Sequence, residues 1–171
     1  MGLGAHRSRL AALLAILALP GLSGCGFTPL YATAGVSSGM AGVDVITPEG
    51  RTCHLLSEDL QDDLAVDHAR PATYRLALAV DETRYERGLS TEQLATWYEL
   101  SVRVSYSLID ISSGKTLTAG VMPISVSYDA ANDPYAGIVA QQDGQRRAAG
   151  EAAQRIRTKI AAFLARQAKA P

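Results

Sequence analysis

One stretch of this chain constrains its fold more than any other. From Tyr98 to Leu108 apolar and polar residues alternate without a break. Tyr98, Leu100, Val102, Val104, Tyr106 and Leu108 fall on one side, and Glu99, Ser101, Arg103, Ser105 and Ser107 on the other. Successive strand side chains point to opposite faces, so this is a strand with one face in a core and one polar face. At about 3.3 Å per residue it spans about 35 Å, long for a globular domain.

Other elements assemble around it. Tyr74, Leu76, Leu78 and Val80 alternate with Arg75, Ala77, Ala79 and Asp81, a second strand of the same kind. The polar stretch Glu82 to Gln93 then reads as the connection to the long strand. Ser112-Ser113-Gly114-Lys115 reads as a hairpin turn, with Gly114 able to take a positive φ. The returning strand begins with Leu117, Ala119 and Val121 inward and resumes with Ile124, Val126 and Tyr128. This change of parity falls at Met122-Pro123. Proline cannot donate to a ladder, so a bulge, an edge strand or both are expected there. Val43 to Ile46 is a short strand stopped by Thr47-Pro48-Glu49-Gly50.

Two helices complete the pattern. Cys53, Leu56, Leu60 and Leu64 recur on one face of a helix from about Thr52 to Val66. Its opposite face carries Glu58, Asp59, Asp62 and Asp63, a solvated acidic face without the oxygen spacing of a calcium loop. Asp133-Pro134 reads as N-cap and first position of a second helix, from Tyr135 to near Gln167. Its stripe is Ala149, Ala152, Ala153, Ile156, Ile160, Phe163 and Leu164. The order β-α-β-β-β-α predicts an α+β two-layer sandwich: a four-stranded mixed sheet with two helices on one face. Its first strand–helix–strand unit should be parallel and right-handed. The other sheet face stays uncovered, and either water or a partner could lie against it.

The N-terminus has the layout of a secretory leader. His6, Arg7 and Arg9 are followed by ten apolar residues, Leu10 to Leu19, and then by Pro20-Gly21. Ten residues are too few for a bilayer, which needs about 20. Leu22-Ser23-Gly24-Cys25 matches the bacterial lipobox, whose cysteine takes a diacylglycerol before cleavage and an N-acyl chain after it. The predicted organisation is a signal peptide at 1–24, a lipidated tether at 25–42, one domain at 43–167 and a frayed tail at 168–171. The Gly/Ser/Thr/Ala-rich composition of Gly26 to Gly42 suits a tether. Gly26, next to the lipidated residue, lacks the aspartate that favours inner-membrane retention and so points to the outer membrane.

Once Cys25 is alkylated only Cys53 remains, so no internal disulfide forms. Cys53 is then a core thiol or a site for bonding a partner. The net charge of −1 gives no sign of a nucleic-acid partner. His54 and His68 have no metal-ligand companions at suitable spacing, so neither a metal site nor a separate cofactor is expected. Gly35-Val36-Ser37-Ser38-Gly39 matches G-x-S-x-G, but a nucleophile elbow needs a strand before it and a helix after it. The chain reads as a binding or scaffolding protein, not an enzyme.

Cys25-Gly26-Phe27-Thr28-Pro29-Leu30-Tyr31 resembles the C-G-F-x-P-L-Y start of the lipopolysaccharide-assembly lipoprotein family, LptE. The strand Tyr98 to Asp110, the Ser113-Gly114 turn, Ser127-Tyr128-Asp129, Pro134-Tyr135-Ala136 and the Ala/Arg-rich helix resemble its α-proteobacterial form. The resemblance implies an outer-membrane lipoprotein that helps assemble and plug the β-barrel LptD and supports lipopolysaccharide transport to the outer leaflet. On that implication Arg103 and Ser105, on the uncovered face, are candidate barrel-facing residues. Arg84 and Arg87 are candidate contacts for lipid phosphate, which guanidinium groups grip bidentately. The alternative is an auxiliary lipoprotein of an ABC-type lipid transport system, another small α+β domain on a lipid tether.

Overall fold

A computed structural model describes residues 35–89, 95–129 and 133–168. The leader, Cys25, the C-G-F-x-P-L-Y start, residues 90–94 and the tail beyond residue 168 lie outside the described residues.

The elements run α1 (Val36–Ala41), β1 (Val43–Ile46), α2 (Arg51–Leu64), β2 (Tyr74–Leu89), β3 (Ala95–Asp110), β4 (Thr116–Asp129) and α3 (Pro134–Gln167). The strands form one sheet in the order β1-β2-β3-β4. β1 is parallel to β2, and the other pairs are antiparallel. This is the expected mixed α+β sheet, with its helices packed on one side.

The core follows from the alternation. Leu76, Leu78, Leu100, Val102, Val104, Leu108, Ile124 and Val126 are buried against Leu56, Leu60, Leu64, Ala149, Ala152, Ala153, Ile156 and Ile160. Each large aliphatic side chain so buried contributes about 1.5–3 kcal/mol. Cys53 is buried on the same helical stripe. Its thiol pKa is pushed up by burial, and further by the charge of Glu82, so it stays protonated.

Length explains how the layers divide. α3 has 34 residues and β2 and β3 have 16 each. At about 1.5 Å per helical and 3.3 Å per strand residue, each is about 50 Å long. α2, with 14 residues, reaches less than half as far. One end of the sheet is therefore covered by both α2 and α3, and the other end by α3 alone. At the boundary Glu82 accepts hydrogen bonds from Thr52 Oγ1 on α2 and from Gln145 Nε2 on α3.

Local chemistry sets the ends. Asp133 accepts a hydrogen bond from the Tyr135 amide at 2.8 Å, with Pro134 opening α3 as expected. In the β3–β4 turn the Asp110 carboxylate accepts from the Ser112 amide at 2.8 Å, the Ser112 hydroxyl at 2.6 Å and the Ser113 amide at 3.2 Å. These bonds hold its pKa below the usual carboxylate range. Gly114 takes φ +67° in that turn.

Three expectations are corrected. Glu82 to Leu89 is not a connection: β2 continues through it, paired with β3 as far as Leu89 opposite Ala95. The segment looks irregular in sequence because beyond α2 the remaining helix covers β3 and β4, where Leu100 and Val126 are buried, and leaves residues 81–88 of β2 exposed. Second, the ladder passes Met122-Pro123 without a shift, and the irregularity lies opposite Leu108 and Ile109, between Thr116 and Thr118. β4 is the expected edge strand, but from Thr118 onward its even positions face the helices, leaving Val121 54% exposed on the other face. Tyr106 fills the space over its partner Gly120, where a Cβ would come within 2.9 Å of the tyrosine side chain, which suits Gly120 to the helix side. Third, part of the expected tether is structured: α1 buries Val36 and Met40 and packs against α3.

Candidate functional site

Among the described residues no element packs on the sheet face turned away from the helices. On β2 it carries Ala77, Ala79, Asp81, Thr83, Tyr85 and Arg87. On β3 it carries Trp97, Glu99, Ser101, Arg103, Ser105 and Ser107. On β4 it carries Ala119, Val121, Pro123, Ser125 and Ser127. Arg103 and Ser105 sit on it two positions apart on β3, both exposed. Arg103 lies between Asp81 and Pro123, and Ser105 between Ala79 and Val121. Val104, between them in sequence, points the other way and is buried.

The face has two zones. Around Ser105 the side chains are short: Ala77, Ala79, Ser107 and Ala119. A second surface can approach that area closely. Towards the other end the side chains are larger and linked. Arg87 pairs with Glu99, with Nη2 at 2.9 Å and Nε at 3.0 Å from one carboxylate oxygen. The Ser125 hydroxyl donates to the other oxygen at 2.6 Å. The Ser125 bond, then Arg87, hold the Glu99 carboxyl below its ordinary pKa. Arg87 also lies over the Tyr85 ring, 5.2 Å from its centroid. Tyr85 and Trp97 are both partly exposed beside it.

Arg84 does not join this cluster. It is three residues from Arg87 on a strand and so faces the opposite way. Its guanidinium lies 4.9 Å from the Tyr98 ring centroid and 3.4 Å from Gln141 of α3. Tyr98 stacks in turn on Tyr128, with centroids 5.4 Å apart. The fold thus brings Arg103 and Ser105 onto one surface and sends Arg84 and Arg87 to different ones. The two arginines cannot close together on a single phosphate, as a shared loop would have allowed.

Beside β4 an open groove of about 540 Å³ is lined by Trp97, Ser127, Tyr128, Asp129, Ala140, Asp143 and Arg147. The Tyr128 hydroxyl is buried without a hydrogen-bond partner. The Tyr128 ring fits under α3 because residue 144 is glycine, whose Cβ position is 3.2 Å from it. The sequence reading did not single out this groove. Its available signal was Trp97, the only tryptophan in the chain, at an odd and therefore outward position of the long strand.

Among the described residues no group of three His, Cys, Asp or Glu side chains could hold a metal ion. His54 is solvent-facing on α2, 3.3 Å from Glu58. Ser37 lies within α1, whose N-cap is Gly35, with no described strand before it. No described helix is long and apolar enough to cross a membrane.

The described residues define a two-layer α+β sandwich, a four-stranded mixed sheet with its helices on one face. The chain belongs to the LptE family of lipopolysaccharide assembly, whose model matches residues 40–160. This is a family of non-enzymatic lipoproteins. The crystal structure of a lipoprotein candidate from Caulobacter crescentus is 43% identical, with a TM-score of 0.68, and the match covers 78% of this chain and 98% of that one. Two further structures share the fold at 18% identity and a TM-score of 0.55. They are an uncharacterized lipoprotein B from Nitrosomonas europaea, covering 71% of this chain and 82% of that one, and a minor lipoprotein from Acinetobacter baumannii, covering 70% and 90%. No protein with a curated description matches the chain.

Proposed function

We propose that this protein is an outer-membrane lipoprotein, anchored through acyl chains on Cys25 at the periplasmic side, that seats in the lumen of an LptD-type β-barrel. There it helps the barrel assemble and supports passage of lipopolysaccharide to the outer leaflet. Family membership supports the lipopolysaccharide-assembly role. The observation that carries the finer reading is the bare sheet face around Arg103 and Ser105. Barrels with a wet lumen are polar within, so a plug needs a polar outer surface. This face supplies serines and an arginine that can hydrogen-bond to such a wall, and side chains short enough for the wall to approach. Arg84 and Arg87 are the basic groups towards the far end of β2. Lipid phosphate held by them would be held by two separate contacts, one on each side of the sheet.

Purification of the full-length lipoprotein in mild detergent tests the partner. A large β-barrel protein is expected to co-elute at one-to-one stoichiometry. Recovery of an inner-membrane transporter in its place would overturn the plug reading in favour of the transport auxiliary.

A further inference from the structure

β4 is the sheet's edge strand, and its free side is not bare. In an antiparallel ladder the N–H and C=O of one residue point the same way, and the direction alternates along the strand. Pro123 has no N–H to offer. Its carbonyl accepts from Arg155 Nη1 at 3.4 Å, and the Ser127 carbonyl accepts from Arg147 Nη2 at 3.1 Å. Odd positions of this part of β4 therefore turn their backbone groups outward, and two of those outward carbonyls are occupied by arginines reaching across from α3.

Both arginines are braced. Arg147 gives its Nε to Asp143 at 2.8 Å, and Arg155 gives its other terminal nitrogen to Glu151. Each acid stands four residues before its arginine, the favourable order on a helix. One branch of each fork holds the helix while another reaches the strand, a division that the single nitrogen of lysine would not reproduce. The spacing also matches. Eight residues of helix rise about 12 Å, and four residues of strand span about 13–14 Å. The stretch before Pro123, residues 116–122, is interrupted by the register shift near Thr116.

We propose that Arg147 and Arg155, together with Pro123, lock the free edge of β4 against strand addition, the occupant they exclude being the β4 edge of a second copy of this chain. An unguarded edge is a template for another strand, and two identical edges can pair about a twofold axis. The lock stands apart from the barrel reading and does not depend on it.

Light scattering on the full-length protein, produced without a barrel partner and kept in detergent, measures the number of copies of this chain in each particle. The unaltered chain is expected to be monomeric. Arg147→Ala with Arg155→Ala should form dimers, with the dimer-to-monomer ratio rising at least tenfold, and the Arg→Gln pair should behave the same way. Lys159→Ala with Arg166→Ala removes the same charge from exposed positions of α3 and should leave a monomer. Adding Ser125→Pro to the dimerising variant removes an outward N–H from the edge and should restore the monomer. A folded double variant that stays monomeric, or a dimer that survives Ser125→Pro, would overturn the proposal. So would an unaltered chain that is already dimeric.

Discussion

Leu60→Asp is expected to abolish the fold. Leu60 is fully buried in the middle of α2, within the one cluster that joins the sheet to α3. An aspartate there either stays charged without a partner or takes up a proton at a cost, and in both cases the leucine's apolar contacts are lost. Such a change costs several kcal/mol. Domains of this size are stable by only about 5–15 kcal/mol in total, so the native state should no longer dominate. Glu58→Lys, two residues away, should shift stability by about 0.5 kcal/mol or less, because Glu58 is exposed and its contact with His54 is a surface pair. Urea unfolding followed by circular dichroism reads both variants. Equal effects would mean that α2 does not present the face described here.

Cys25→Ser should abolish lipidation of the chain. Each buried methylene contributes about 0.8 kcal/mol, and two acyl chains already give stable attachment, so the predicted lipids are enough to hold the protein on the membrane. The serine chain should take up no palmitate and should persist as the longer precursor in cells. Labelled palmitate on the mutant, or normal shortening of the chain, would contradict lipidation at Cys25.

The parts of this fold that could be read from sequence are those where one periodicity repeats often enough to exclude others. β3 alternates over eleven residues, and α2 places Cys53, Leu56, Leu60 and Leu64 on one face. The side of the sheet taken by α2 and α3 follows from them. The outer half of β2 was not legible because its pairing is carried by backbone hydrogen bonds to β3, while Glu82, Arg84, Glu86 and Arg87 give no apolar rhythm. α1 was missed for a different reason: VSSGMA has poor helix propensity, and the helix depends on burying Val36 and Met40, four residues apart. On β4, Tyr106 filling the space over Gly120 is a cross-strand fit that no pattern within one strand can carry. At the candidate site, the outward direction of Arg103 and Ser105 followed from the same alternation that located β3. The division of Arg84 from Arg87 could not be seen until their segment was known to be a strand. The arginine lock is a contact between α3 and an edge, and required both to be in place.

The central claim is that the bare sheet face meets a barrel wall, and site-specific photo-crosslinking in cells tests it most directly. A photoreactive residue at Ser105, exposed on that face, should capture a large outer-membrane β-barrel protein. The same group at Val104, one position along and buried beneath the protein's own helices, should capture none. A barrel adduct from Val104 with none from Ser105 would contradict the account.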